Sequence, residues 1–370
     1  MNILFVCSRL DTMVAKRGIV LQKLAANGHK VTLLSMERHQ ETERVLEGMG
    51  VGFRCFKNER NRISLWADFL FVLNLAKLLL SKRYDCLVSY TIKPNVYSGI
   101  ACFFVARGIR FYPFVTGLGY AFQSGGFKRY LLKKVSLFLH RISFFSARKV
   151  IFQNYVNRDY FVDTSVVKKD KTEVILGDGV DVSISPTPYL NRVTSGFVCV
   201  ARVLGEKGLR ELHESILQVK RDEPSFNVQL YGPLESSPDA ISAAEVAEWK
   251  KMGTIIWNGY SSNVSELLNG AACFVLPSYH EGMSTAVAEA MAAGLPIIGT
   301  DIPGIRELVE DNGFLVPVKD PVSLSGALLR FINLPDEEKN EMSKISRERS
   351  VMMCDRKVIM DRIYEMVIKA

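Results

Sequence analysis

The sequence predicts an α/β protein made of two doubly wound domains, and three observations carry that expectation. Short β-branched and aromatic runs alternate with longer segments of helical period along the whole chain, the pattern of parallel sheets covered on both faces. The length, 370 residues, suits two domains. A proline-bearing stretch poor in apolar residues, SISPTPYLNR (183–192), separates halves of opposite charge. The expected division is therefore 1–187 and 188–354, with a last helical segment, 355–370, packing back on the first domain through Val358, Ile359, Ile363, Met366 and Val367.

In chain order, NILFVC (2–7) is the first strand; it lacks the basic flank and the length of a secretory signal. A helix is expected near 16–27, then strands KVTLLS (30–35) and FRCFK (53–57). LWADFLFVLNLAKLLL (65–80) is the most apolar stretch, but at 16 residues, with Asp68, Asn74 and Lys77, it falls short of a membrane span, which needs about 20 apolar residues. It reads as a long, mostly buried helix. The first half continues with strands CLVSY (86–90), RFYPFVT (110–116), KVIFQ (149–153) and EVILG (173–177), separated by helical patterns at 96–107, 127–146 and 155–161. In the second half the β-rich runs are GFVCVA (196–201), NVQLYG (227–232), TIIWNG (254–259), CFVLPS (273–278), PIIGT (296–300) and FLVP (314–317). Helical patterns fall at 208–222, 241–250, 263–269, 284–293, 303–309 and 321–332.

Composition narrows the classes of function. Residues 1–190 carry 28 Lys+Arg against 14 Asp+Glu, whereas residues 191–370 carry 19 against 25. A basic half suits nucleic acid, an anionic membrane or a phosphorylated substrate, and counting alone does not choose among them. The seven cysteines are scattered through apolar runs with no Cys-x-x-Cys and no zinc spacing, so they read as buried thiols in a reducing compartment.

Two stretches carry chemistry. In CFVLPSYHEGMSTAVAEAMAAG (273–294) a strand ends, a loop holds Glu281, and a helix begins near Ser284 and stops at Gly294. The backbone N–H groups of Met283, Ser284 and Thr285 fall at that helix's N-terminus, a ready anion site. Glu281 can reach sugar hydroxyls on one side of a bound phosphate and Glu289 a ribose diol on the other; alone, Glu281 also reads as a helix-end charge and Glu289 as a solvated carboxylate. In ARVLGEKGLREL (201–212), Arg202 and Lys207 flank a turn before a helix. Such a pair can neutralise a diphosphate without a metal, though surface cations beside turns are common.

Together these stretches resemble the family-four retaining glycosyltransferases of GT-B architecture, two Rossmann-like domains facing across a cleft. The resemblance rests on the R-x4-K of Arg202 and Lys207, the E-x7-E of Glu281 and Glu289, and PSYHEGMSTAVAEAMAAGLPII around them. GTDIPGIRELVEDNGFLVP (299–317), WNGY (257–260) and ILGDGVD (175–181) extend it. It implies that Arg202 and Lys207 hold the donor diphosphate, that Glu289 binds the ribose, and that Glu281 lies near the anomeric carbon. Gly282, Met283, Ser284 and Thr285 would complete the phosphate cradle, and loops at Gly232 and Gly259–Tyr260 would receive the base.

The first domain matches less closely. The Gly-Gly pair that many members of the family carry after the first strand is replaced by SRLDTMVAKRG, and the His that some place after the fifth strand by Thr116 and Gly117. Lys93 and Asn95, expected in a loop after the fourth strand, are acceptor-side candidates, with a structural turn before Pro94 as the other reading. YTIKPNVYSG and VTGLG also resemble the bacterial subset that adds galactose or N-acetylgalactosamine to a sugar on undecaprenyl diphosphate, in surface-glycan or glycoprotein synthesis.

On this reading the partners are a UDP-sugar donor, a lipid-linked saccharide acceptor and an anionic membrane surface at the inner face of the cell membrane. Residues 127–149 interleave Lys128, Arg129, Lys133, Lys134 and Arg141 with long apolar side chains, as a membrane-surface helix does; a core-facing helix with a charged outer face is the alternative. Nucleic acid is disfavoured, since no recognised binding signature accompanies the charge. No Asp-x-Asp occurs, so no metal or other cofactor is expected. A dinucleotide oxidoreductase would need G-x-G-x-x-G after the first strand, which is absent. An epimerase or phosphorylase of the same fold, a transferase with a soluble acceptor and a non-catalytic peripheral membrane protein complete the rivals.

Overall fold

The computed structural model describes residues 1–58, 64–105, 108–117, 122, 126–183, 186–191, 196–237 and 239–369; of Leu65, Phe127, Lys128, Arg129 and Asn191 it describes the backbone alone. The chain folds as two units, Met1–Asp178 with Lys357–Ala370, and Gly179–Arg356.

The first unit holds seven parallel strands: β1 (Asn2–Cys7), β2 (Lys30–Ser35), β3 (Gly52–Cys55), β4 (Cys86–Tyr90), β5 (Arg110–Val115), β6 (Val150–Phe152) and β7 (Thr172–Val174), in the order β3-β2-β1-β4-β5-β6-β7. Helices α1 (Leu10–Ala26), α2 (Gln40–Gly48), α3 (Leu65–Ser81), α4 (Ile92–Val105), α5 (Phe127–Phe145) and α6 (Tyr155–Asp163) connect them. β1 is buried on both faces: Ile3 and Phe5 join a core with Leu21 and Leu24 of α1, while Leu4 and Val6 join one with Phe71, Leu75, Tyr97 and Phe144 of α3, α4 and α5. The last helix, α13 (Arg356–Ile368), sends Ile359, Met360, Ile363 and Val367 into the first of these cores.

The second unit has six parallel strands, β8 (Phe197–Val200), β9 (Val228–Tyr231), β10 (Ile255–Trp257), β11 (Cys273–Leu276), β12 (Ile297–Thr300) and β13 (Gly313–Val316), ordered β10-β9-β8-β11-β12-β13. Its helices are α7 (Leu209–Val219), α8 (Ala243–Lys251), α9 (Val264–Asn269), α10 (Thr285–Ala292), α11 (Pro321–Ile332) and α12 (Asp336–Cys354). Both sheets reverse their strand order once, between β1 and β4 and between β8 and β11, the positions where ligands bind in such folds.

Several expectations change. The chain enters the second unit at Gly179, ahead of the prolines, because Val180 is 1% exposed in that unit's core and exchanges backbone bonds with Cys354 O (2.8 Å) and the Arg356 N–H (3.0 Å). The two prolines mark a loop within the second unit. α1 begins at Leu10, so little of SRLDTMVAKRG is loop, and α4 begins at Ile92, which brings Lys93 and Asn95 into a helix. The stretch 303–309 is a run of turns, tied by Ser284 N–H to Gly304 O (3.0 Å) and Gly304 N–H to Glu307 (2.7 Å). α3 is buried on one face only: Trp66 is 70% and Leu80 68% exposed. Of the linker stretch, residues 184, 185 and 192 lie outside the described residues, as do 118–121 of the loop after β5.

Candidate active site

In the second unit the loops after β8 and β11 meet at the strand-order reversal. β8 runs into Ala201–Leu204 and a single tight turn, Gly205–Lys207, before Gly208 starts α7. Gly208 has φ +68°, and a Cβ there would lie 2.0 Å from Pro277 O, so only glycine lets the two loops approach this closely. The Tyr279 N–H donates to Glu206 O (2.8 Å), and Ser278 O accepts from the Thr300 hydroxyl. The loop after β11 is thereby tied to its neighbours on both sides.

This close approach joins Lys207 to Glu281. Lys207 Nζ lies 2.7 Å from Glu281 Oε1, and the side chains are 12% and 15% exposed. Beneath them, burial pushes the Cys199 thiol up to about 12, with the Lys207 charge lowering it and Glu281 raising it by smaller amounts. Arg202 is not drawn into the pair: its side chain is 53% exposed and reaches Glu206 (3.4 Å) and Glu235 (3.8 Å). The two cations of the sequence motif are thus inequivalent, one held in the floor of the site and one at its rim. His280 is exposed.

The start of α10 is less open than the sequence suggests. The Ser284 hydroxyl caps the helix by accepting from Val287 N–H (3.4 Å), and the Ser284 N–H is taken by Gly304 O. Among the described residues no acceptor meets the N–H groups of Met283 and Thr285, so the donors free for an anion are two of the expected three. Gly282, half-buried, leads into this start. Glu289 lines a cavity of about 170 Å³ with Asp181, Ser265, Asn269 and Arg356, and neither Lys207 nor Glu281 is part of that lining.

The loops expected to receive the base are stitched at Gly232. Its N–H donates to Gly259 O (2.8 Å), its carbonyl accepts from Trp257 Nε1 (2.9 Å), and a Cβ would lie 1.8 Å from Ala201 O. Tyr260 stands beyond, 75% exposed.

In the first unit, Asn95 is 1% exposed; its Nδ2 donates to Phe114 O (2.8 Å) and its Oδ1 accepts from Ser89 (2.7 Å). This side chain pins α4 to β4 and β5, so it is not presented to an acceptor. Lys93 Nζ pairs with Asp68 at 3.2 Å. Thr116 and Gly117 follow β5 and are half-buried. On α5, Lys133 lies over the Tyr160 ring (4.9 Å), Lys134 over Tyr130 (5.5 Å), and Arg141 is exposed, while the side chains of Lys128 and Arg129 lie outside the described residues.

Two constellations escape the sequence reading. Tyr279 donates its hydroxyl to Glu211 (2.5 Å), fastening the Glu281 loop to α7. Arg17, 5% exposed, pairs with Asp178 and lies 4.0 Å from the centre of the Tyr90 ring. The signal for Arg17 is its position on the apolar face of α1 with Leu10, Met13, Leu21 and Leu24; Tyr279 and Glu211 leave no comparable trace.

Two parallel, doubly wound sheets, each with one reversal of strand order, are the architecture of GT-B glycosyltransferases. The model of the glycosyl transferases group 1 matches residues 194–333, and that of the glycosyl transferase 4-like domain matches residues 2–154. The chain belongs to this glycosyltransferase family. It is 28% identical, over 86% of its length and 87% of the relative's, to the N,N'-diacetylbacillosaminyl-diphospho-undecaprenol alpha-1,3-N-acetylgalactosaminyltransferase of Campylobacter jejuni. It is 27% identical, over 78% of its length and 76% of the relative's, to the UDP-Gal:alpha-D-GlcNAc-diphosphoundecaprenol alpha-1,3-galactosyltransferase of Escherichia coli. The crystal structure of Anabaena HepE in complex with UDP has the same fold, with TM-score 0.78 at 18% identity over 100% of both chains.

Proposed function

We propose that the enzyme moves galactose or N-acetylgalactosamine from a UDP-sugar to a saccharide carried on undecaprenyl diphosphate, with retention at the anomeric carbon. The Lys207–Glu281 pair carries this reading, because a shielded cation beside a carboxylate at the strand-order reversal suits a departing diphosphate beside a sugar. The two relatives named above act on saccharides borne on undecaprenyl diphosphate, which supports the acceptor class.

In the reaction the bond from the anomeric carbon to the diphosphate oxygen breaks and its electron pair leaves with UDP. The acceptor hydroxyl oxygen bonds to the same carbon from the same face, and its proton passes to the departing phosphate oxygen. Lys207, Arg202 at the rim and the free N–H groups of Met283 and Thr285 stabilise the leaving charge without a metal. Glu281 accepts hydrogen bonds from the donor sugar's hydroxyls and Glu289 from the ribose. The first unit takes the acceptor, with Lys93, Thr116 and Gly117 as its contacts, and the basic helix α5 holds the enzyme at the inner face of the cell membrane.

The test is incubation of the purified enzyme with individual UDP-sugars and a short-chain polyprenyl-diphosphate saccharide, with product mass and anomeric coupling read by mass spectrometry and NMR. A product carrying one added hexose or N-acetylhexosamine in the donor's configuration is expected. Transfer to free sugars but to no lipid-linked one would overturn the acceptor class.

A further inference from the structure

The helices α3, α4 and α5 cover one face of the first sheet and share its core through Phe71, Tyr97 and Phe144. Their outer side is only partly polar: on α3, Asn74 and Lys77 are exposed among large apolar side chains. Along α3, Trp66 (70% exposed), Phe69 (54%), Leu70 (40%) and Leu80 (68%) recur at helical spacing on the side away from Phe71, Leu75 and Leu78. α5 presents Leu131, Val135, Phe138 and Phe145, and α4 contributes Phe103 and Phe104. Phe103 packs on Phe145 at 5.8 Å, so the apolar surface is continuous from α4 to α5. An exposed apolar surface of this extent marks an interaction face.

Charge identifies the occupant. Lys93 and Asp68 pair with one another (3.2 Å), and by sequence the three helices carry beside them Lys77, Lys128, Arg129, Lys133, Lys134 and Arg141 with no further carboxylate. A second copy of the same face would set these cations against themselves. Aromatic and leucine side chains interleaved with lysine and arginine suit the boundary of an anionic bilayer, where rings enter the acyl margin and cations reach back to phosphate.

We infer that the combined outer face of α3, α4 and α5, anchored by Trp66, Phe69, Phe104 and Phe138, docks on an anionic phospholipid bilayer. The inference deepens the reading of a lipid-borne acceptor, and rests on it for the source of the bilayer. It extends the membrane surface from the cations of α5 to a three-helix face in which apolar insertion contributes beside charge.

Vesicles of phosphatidylglycerol and phosphatidylethanolamine are the probe, without donor or acceptor, so a wrong acceptor leaves this measurement standing. The wild-type chain should float with them, and Trp66 emission should move to shorter wavelength; the difference from Trp66→Phe isolates that contribution from those of buried Trp249 and half-buried Trp257. The double variant Phe69→Glu with Phe138→Glu should lose at least about tenfold in vesicle partitioning, while its transfer to a short-chain acceptor in solution stays at the wild-type rate. Flotation unchanged in that variant, or Trp66 emission unmoved by vesicles, overturns the proposal. So does a wild-type dimer that sediments without lipid and is dissolved by the same two substitutions, which would assign the face to a second copy.

Discussion

Removing Lys207 tests the centre of the site most directly. At 2.7 Å, and with each side chain only 12% and 15% exposed, the attraction between Lys207 and Glu281 is about 6 kcal/mol gross at an effective dielectric constant near 20. Desolvation of both groups cancels much of this, so the intact pair contributes little net stability. Lys207→Met, however, leaves a shielded carboxylate without its cation and should destabilise the second unit by about 3 kcal/mol. Glu281→Gln keeps an oxygen acceptor for Lys207 and should cost about 1 kcal/mol. The double variant should then lie about 2 kcal/mol above the additive expectation. Urea unfolding followed in a Trp66→Phe background, which leaves Trp249 and Trp257 of the second unit as the emitters, reads all four corners of the cycle. Transfer by Lys207→Met should fall roughly 10²- to 10³-fold in kcat, the usual loss of one donor at a developing charge. Strict additivity of the two stability losses would mean that the pair does not form in solution. A wild-type kcat in folded Lys207→Met would remove Lys207 from the diphosphate.

Asn95→Ala deletes two buried hydrogen bonds and should cost about 2–4 kcal/mol in thermal or urea unfolding, with the acceptor KM unchanged where the variant is folded; a raised KM at full stability would return Asn95 to the acceptor. Gly208→Ala forces a Cβ to 2.0 Å from Pro277 O at φ +68° and should lower the second unit's stability by about 2 kcal/mol or more, so wild-type unfolding would show that the two loops stand further apart. Burial pushes His140 down to about 4 from its ordinary 6.5. The unfolded chain therefore takes up a proton that the folded chain refuses, and stability is full above the ordinary value and declines as pH falls towards 4. Between about pH 7 and pH 5 the wild type should lose about 2 kcal/mol more than His140→Gln, and parallel pH profiles would refute the assignment. Transfer in excess EDTA should proceed at the untreated rate, whereas a loss restored by Mg²⁺ would introduce a metal.

The alternation of strands and helices was legible because parallel strands buried on both faces are continuous apolar runs, as β1, β4 and β11 are. Lys207 and Glu281 were legible as a motif, but their pairing was not, since it depends on Gly208 bringing two loops together across the sheet. α12 was missed for a physical reason: its packing stripe is serine, not leucine. Ser343, Ser346 and Ser350 are buried and donate to the carbonyls of Gly294 (2.6 Å), Leu295 (2.6 Å) and Ala288 (3.3 Å), so no hydrophobic period announces the helix. α2 has only Thr42 and Leu46 buried and is likewise faint. The outer face of α3 misled in the opposite direction, because an all-apolar helix reads as core until something shows which side lacks a partner.

The chain leaves its first unit at Asp178 and regains it at Lys357. The second unit is therefore an insertion within the first, and the first unit, whose sheet is made before the second unit, is completed only after it. Residues 179–356 can close their core as soon as they have left the ribosome. The sheet built from residues 1–178 keeps part of one hydrophobic layer, the part that α1 does not cover, open until Ile359, Met360, Ile363 and Val367 arrive. A stop codon a few residues into α13 would thus leave the second unit's fold intact and the first unit exposed to chaperones and proteases.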